Sequence, residues 1–298
     1  MEDPMVNGRR WVAAIVTAAV AGLGMAVPAA PASAGQLGNA TTAAVPRFDH
    51  AVLIMMENRG YNSIIGSSHA PYLNSLAKQY ALFTKSSALT HPSEPNYIAL
   101  LSGSTQGVKD DSCPHTFAAD NIAHQLAASG RSFVGYSESL PQAGYTGCEK
   151  GDYARKHSPW VNFGDIPASA NQPYTSFPTD YGKLPTVAWV TPNLQHDMHD
   201  GSIQQGDAWL KKNIDGYLQW AKTHNSLLII TWDEDEDNGG NNSIPTIFAG
   251  AQVKSGQYAE KINHYTVLRT LEDAYGLAAL GAAKKATAIT DVWSGSAS

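Results

Sequence analysis

The sequence predicts an α/β domain: a single unit with a mainly parallel central sheet flanked by helices. Three observations predict it. Continuous apolar runs occur in HAVLIMMEN (50–58), PTVAWVTPN (185–193) and LLIITWDEDEDNGG (227–240), long enough for strands buried on both faces. Segments of helical period alternate with these runs, as they do when crossover helices cover a parallel sheet. Each run then stops abruptly at polar residues, namely Glu57 and Asn58, Asn193, and Asp233 and Glu234.

The elements follow in order. Arg9 and Arg10 precede an apolar run from Trp11 to Val27 and the small-residue stretch PAAPASA, with an A-x-A site at Ala32 to Ala34. That is the pattern of a secretory signal peptide over 1–34, cleaved near Ala34 to release an exported chain. Residues 35–47 read as a Thr/Ala/Pro linker and 48–298 as the folded domain. After the strand at 50–56, a helix is expected near Tyr72 to Lys78. THPSEPNYIALLSG (90–103) then begins a second helix at Ser93, which reads as its N-cap, with Pro95 tolerated in the first turn and Ile98, Leu100 and Leu101 on an apolar face.

A helix from Asp120, with Ile122 and Leu126 four apart, stops at Gly130 and leads into a short strand from Phe133 to Tyr136. Ser137 to Thr179 has no period and reads as a long ordered loop over the site. A strand at Thr186 to Val190, a helix at Asp207 to Thr223 and a strand at Leu227 to Thr231 follow. A strand at Ile244 to Phe248 and a helix at Tyr265 to Tyr275 complete the pattern, and the segment after Leu280 reads as a loosely packed tail.

Composition narrows the chemistry. Of 298 residues 43% are hydrophobic, which suffices for a large core, and 20 Lys and Arg against 26 Asp and Glu leave no basic tract for nucleic acid. No segment of the mature chain is apolar enough to be an integral membrane span. Cys113 and Cys148 lie in polar loop sequence outside any CxxC pattern, and in an oxidising compartment they are expected to pair as a disulfide.

Ligands of open α/β sheets bind beyond the carboxyl ends of the strands. A parallel sheet therefore gathers Glu57, Asn58, Asp233 and Glu234 on one edge. Ionised carboxylates packed together repel, and a cation resolves that repulsion. With the Ser93 oxygen they form an oxygen-rich set that suits Mg, Mn or Ca, while His199 and His264 could add nitrogen and admit Zn. Asp233, Asp235 and Asp237 have EF-hand spacing, but Asn238 and Ile244 stand where Gly and Glu are required, which excludes that loop. Ser93 and Asn96, at the positive end of a helix, suit a phosphate group and favour an alkoxide. Tyr153, Arg155, Lys156 and His157 place cationic groups close together, either as a solvated face or, through Lys156 and His157, as binding groups for the same ligand.

Taken together, VLIMMEN, THPSEPNYIALLSG, HDMHDGS, TWDEDEDNGG and NHYTVLRTLED resemble the bacterial phosphoesterase family that joins acid phosphatases, phosphatidylinositol-3-phosphatases among them, with phospholipases C. This family is a branch of the alkaline phosphatase superfamily. The resemblance implies a metal-assisted hydrolase of phosphomonoesters, phosphatidylinositol 3-phosphate included, working through a phosphoserine at Ser93. It implies that Asn96 holds a phosphate oxygen and that Glu57, Asn58, Asp233 and Glu234 ligate a divalent metal ion. His199 and His264 fall near positions used for a second metal or for proton transfer; Gln195 stands where the two-metal site has an aspartate, which leaves open both two metals and a single metal with the histidines as acid or phosphate ligands. A phospholipase C-type phosphodiesterase would use the same nucleophile and metal. From another class, a secreted calcium-dependent binding protein would use the acids and leave Ser93 and the histidines idle.

Overall fold

The computed structural model describes residues 44–237 and 240–294, so the expected signal peptide and most of the linker lie outside the described residues. In chain order the elements are β1 (His50–Met56), the single turn α1 (Tyr61–Ile64), α2 (Pro71–Gln79), β2 (Ala81–Phe83), β3 (Ser86–Ser87), α3 (Ser93–Ser102), α4 (Ile122–Ala128) and β4 (Phe133–Ser137). Next come β5 (Glu149–Lys150), β6 (Tyr153–Ala154), β7 (Asn171–Pro173), β8 (Val187–Thr191), α5 (Ile203–Ala221) and β9 (Ser226–Trp232). The last are β10 (Thr246–Ala249), β11 (Gly256–Tyr258), β12 (Ile262–Asn263) and α6 (His264–Tyr275).

The main sheet has eight strands in the order β11-β2-β10-β9-β1-β8-β4-β7. β1 lies between β9 and β8 and is parallel to both, in register from His50 opposite Ser226 to Met56 opposite Trp232. β4 and β7 continue the parallel order on one side. On the other side β10 runs antiparallel to both β9 and β2, and β11 is parallel to β2. The carboxyl ends of β1, β8 and β9 therefore lie along one edge, as the polar stops of their sequences required.

β1 can be apolar throughout because both its faces are covered. Leu53 and Met55 pack with Tyr97, Ile98 and Leu101 of α3 and Leu268 and Leu271 of α6. Val52, Ile54 and Met56 pack with Leu73 and Leu76 of α2 and Leu210, Ile214 and Leu218 of α5. Each such buried side chain contributes about 1.5–3 kcal/mol before entropy is counted.

α5 starts earlier than its apolar period suggested, at a capping box formed by Ser202 and Gln205. Asp207, expected to open it, faces α2 instead and accepts from the backbone N–H groups of Tyr72 at 3.0 Å and Leu73 at 2.8 Å. It thereby satisfies donors that no α2 residue can. Over residues 281–294 the expected loose tail is packed instead. Ala283, Ile289, Val292 and Trp293 are buried, the Trp293 ring lies 5.5 Å from that of Phe48, and its Nε1 donates to the Ile289 carbonyl at 2.8 Å. These residues lack regular spacing, so their burial left no period to read. Cys113 and Cys148 are joined as a disulfide. Within 137–179 the expected ordered loop holds the β5–β6 hairpin, short 3-10 turns and the edge strand β7.

Candidate active site

The site is built on the carboxyl ends of β1 and β9 and the amino end of α3. β1 ends in a bend at Asn58, whose φ of 40° lies in the left-handed region that asparagine tolerates. The bend brings the Asn58 N–H to Asp233 Oδ1 at 3.1 Å, joining the two strand ends. Glu57 and Asp233 are fully buried.

Ser93 is the first residue of α3, and the N-cap position belongs to Pro92. Its hydroxyl makes no cap bond; it lies 3.0 Å from Glu57 Oε2, 3.0 Å from Glu234 Oε1 and 3.5 Å from Asn58 Oδ1. A single hydroxyl proton can serve only one of these acceptors at a time. Burial, and then the charge of Asp197, push Glu57 well above the usual carboxylate range. Burial, followed by Glu57 and Glu234, does the same to Asp233. Glu234 is raised by burial too, with Ser93 and His91 opposing.

Among the described residues no group of three or more His, Cys, Asp or Glu side chains stands as a ready-made metal cage. The donor set nevertheless fits a hard cation in kind. Asp233 Oδ2 is buried with no partner, and oxygens of Glu57, Asn58 and Glu234 converge on Ser93.

The remaining expected residues divide into two groups. Lys156 and His199 come to the site: Lys156 Nζ bonds Asp111 Oδ2 at 2.8 Å and lies 3.5 Å from His199 Nε2. Burial works against the Lys156 charge, but Asp111, Glu57 and Asp233 outweigh it and hold its pKa above the ordinary value. His199 is carried by the QHDMHDG loop, which doubles back at Gly201, where a Cβ would meet the Gln195 carbonyl oxygen at 1.8 Å. Its Nδ1 lies 2.9 Å from Asp200 Oδ1.

Asn96, His157 and His264 turn into the protein. The Asn96 amide accepts from the N–H groups of Leu89 and Thr90 and donates to the carbonyls of Thr90 and Pro92, so it shapes the turn that delivers Ser93. His264 Nε2 bonds the Asp233 carbonyl at 2.8 Å, and burial pushes its pKa down to about 4. His157 is buried between Glu57 Oε1 at 3.1 Å and Asp197 Oδ2 at 3.2 Å. Arg155, its neighbour, spends its guanidinium on the carbonyls of Thr146, His115 and Val161 and on Asn162 Oδ1.

Three further residues border the site that the sequence reading did not single out. Tyr97 donates its hydroxyl to Glu57 Oε1, His91 Nδ1 lies 2.6 Å from Glu234 Oε2, and Asp197 Oδ1 accepts from the His199 N–H at 2.7 Å. Tyr97 sits one turn after Ser93 on α3, a helical spacing that could have flagged it.

Several known proteins are similar to this chain. A family profile described as the Phosphoesterase family matches residues 67–278. The chain is 47% identical over 296 residues to phosphatidylinositol-3-phosphatase of Mycobacterium tuberculosis, covering 98% of this chain and 97% of that protein. It is 30% identical over 254 residues to an acid phosphatase of Aspergillus fumigatus, covering 78% of this chain and 56% of that longer protein. Among solved structures, an alkaline phosphatase superfamily protein from Vibrio parahaemolyticus matches with a TM-score of 0.60 at 13% identity, covering 83% of this chain and 72% of that one. Identity that low speaks to the fold alone.

Proposed function

The chain belongs to the phosphoesterase family, and on that premise we propose that it is a metal-assisted phosphoric monoester hydrolase with Ser93 as nucleophile. The observation that carries the reading is the Ser93 hydroxyl, held at the first turn of α3 within 3.0 Å of both Glu57 and Glu234. The name of the mycobacterial relative supports phosphatidylinositol 3-phosphate as a substrate. The disulfide supports an exported protein, and among the described residues no helix is long and apolar enough to cross a membrane.

The residues would divide the work as follows. A divalent cation held by Glu57, Asn58, Asp233 and Glu234, with Mg, Mn or Ca preferred over Zn by the oxygen donors, would supply Lewis acidity that lowers the serine pKa and offsets phosphoryl charge. Ser93 gives its proton to a neighbouring carboxylate and attacks phosphorus in line, so that the bond to the leaving alcohol's oxygen breaks as the serine–phosphorus bond forms. Lys156, close behind His199, attracts the phosphoryl oxygens. His199, partly exposed and beside Lys156, protonates the leaving oxygen; deprotonated by that step, it activates the water that hydrolyses the phosphoserine. Buried His264 instead braces the Asp233 loop from behind.

Parallel assays on p-nitrophenyl phosphate, dispersed phosphatidylinositol 3-phosphate and phosphatidylcholine, before and after EDTA, test the reading. Hydrolysis of the first two that EDTA abolishes is the expected result. Hydrolysis of phosphatidylcholine alone would overturn it in favour of a phosphodiesterase.

A further inference from the structure

The two oxygens of the Glu57 carboxylate have different surroundings. Oε2 accepts from Ser93, whereas Oε1 receives the Tyr97 hydroxyl and lies 3.1 Å from His157 Nε2. The His157 ring stacks on Tyr97, with centroids 5.2 Å apart and planes 14° from parallel. Its other nitrogen lies 3.2 Å from Asp197 Oδ2, and Asp197 Oδ1 is fixed by the His199 backbone N–H. The backbone doubles the link, since the Glu57 N–H donates to the Asp197 carbonyl at 2.8 Å. Tyr97, His157 and Asp197 are at most 2% exposed, so no substrate reaches them.

Such a chain is a costly way to fill a core. Burying ionisable groups together carries a desolvation penalty, and apolar side chains of similar volume are often as stable or more so. Here the Tyr97 hydrogen bond and the close approach of His157, whose Nε2 makes no aligned hydrogen bond, both lead to one oxygen of the carboxylate whose other oxygen meets the nucleophile. We propose that Tyr97, His157 and Asp197 are positioning residues that fix the Glu57 carboxylate through Oε1, so that Oε2 is presented to Ser93 and to the divalent cation of the proposed reaction. The inference rests on that reaction and adds what holds its geometry: ligand orientation is set by the groups behind the ligand.

Tyr97→Phe and Asp197→Asn test it, because each removes a link while keeping the shape. The melting temperature of EDTA-stripped protein, its rise on titration with MnCl2, and kcat and KM on p-nitrophenyl phosphate are measured for each variant. Both variants should shift the MnCl2 midpoint upward by about 10- to 100-fold. They should lower kcat by a comparable factor while KM stays within about threefold. The double variant should lose little more than the worse single one, as members of one chain do. A variant whose stripped protein melts lower while its MnCl2 midpoint and kcat stay at the wild-type values has lost packing only, and overturns the inference. So does a variant unchanged in every readout. A wild-type protein that neither gains stability from MnCl2 nor hydrolyses phosphate overturns the proposed function itself, and this inference with it.

Discussion

Ser93 Oγ and Glu234 Oε1 lie 3.0 Å apart although 141 residues separate them in the chain. The contact exists because β9 is parallel to β1 and delivers Glu234 to the edge where α3 begins. Replacing the acid should therefore disable the nucleophile without unfolding the sheet. Glu234→Gln is expected to lower kcat on p-nitrophenyl phosphate by at least about 100-fold, with the far-ultraviolet circular dichroism unchanged.

His91 holds the opposite oxygen of Glu234 at 2.6 Å and reaches Asp235 Oδ1 at 3.4 Å with its other nitrogen. It thus clamps the acidic loop after β9 to the turn before α3. His91→Ala should reduce kcat by about 10-fold and leave KM little changed, since the clamp orients a reacting group and need not touch the substrate. Steady-state kinetics resolve the two constants.

Stability should depend on pH through Glu272 of α6. Its Oε1 accepts from the Leu280 N–H at 2.8 Å, and burial pushes its pKa up to about 7 from an ordinary 4.5. Below 4.5 the carboxyl is protonated in the folded and unfolded chain alike, and its contribution is whole. As the pH rises through about 7 the folded protein must ionise a buried acid, and that contribution is lost. Urea unfolding at either end of this window should show Glu272→Gln flattening the decline by about 1–3 kcal/mol.

The Cys113–Cys148 disulfide, with a sequence separation of 35, links the loop of Asp111 to the hairpin that precedes Lys156. Loop-closure entropy assigns it about 4 kcal/mol. Reduction, or the paired Cys113→Ser and Cys148→Ser change, should lower unfolding free energy by about that amount in urea titrations.

Much of this was legible in the sequence, for a physical reason. β1, β8 and β9 are buried on both faces, so their residues form continuous apolar runs, and the polar residues that end those runs mark the sheet edge. Glu57, Asn58, Asp233 and Glu234 were readable in this way, and Ser93 from the helix that it begins. β2 and β11, with three residues each, were too short to leave a pattern, and the reversal of β10 depends on pairing that no local period encodes. Tyr97 was hidden because it occupies the apolar face of α3, where an aromatic reads as core. Asp197 was hidden among the titratable residues of QHDMHDG, where no period separates the buried acid from its exposed neighbours. The inward turn of Asn96 and His264 reflects the backbone groups that they satisfy, a demand that appears only once the loops are closed.

The most direct measurement is mass spectrometry of the Ser93 peptide after acid quench of the protein turning over p-nitrophenyl phosphate, with Ser93→Ala assayed beside it. The account predicts a phosphoryl group on Ser93 and a loss of at least about 1,000-fold in kcat for the variant. An unmodified Ser93 together with a variant of wild-type turnover would contradict it.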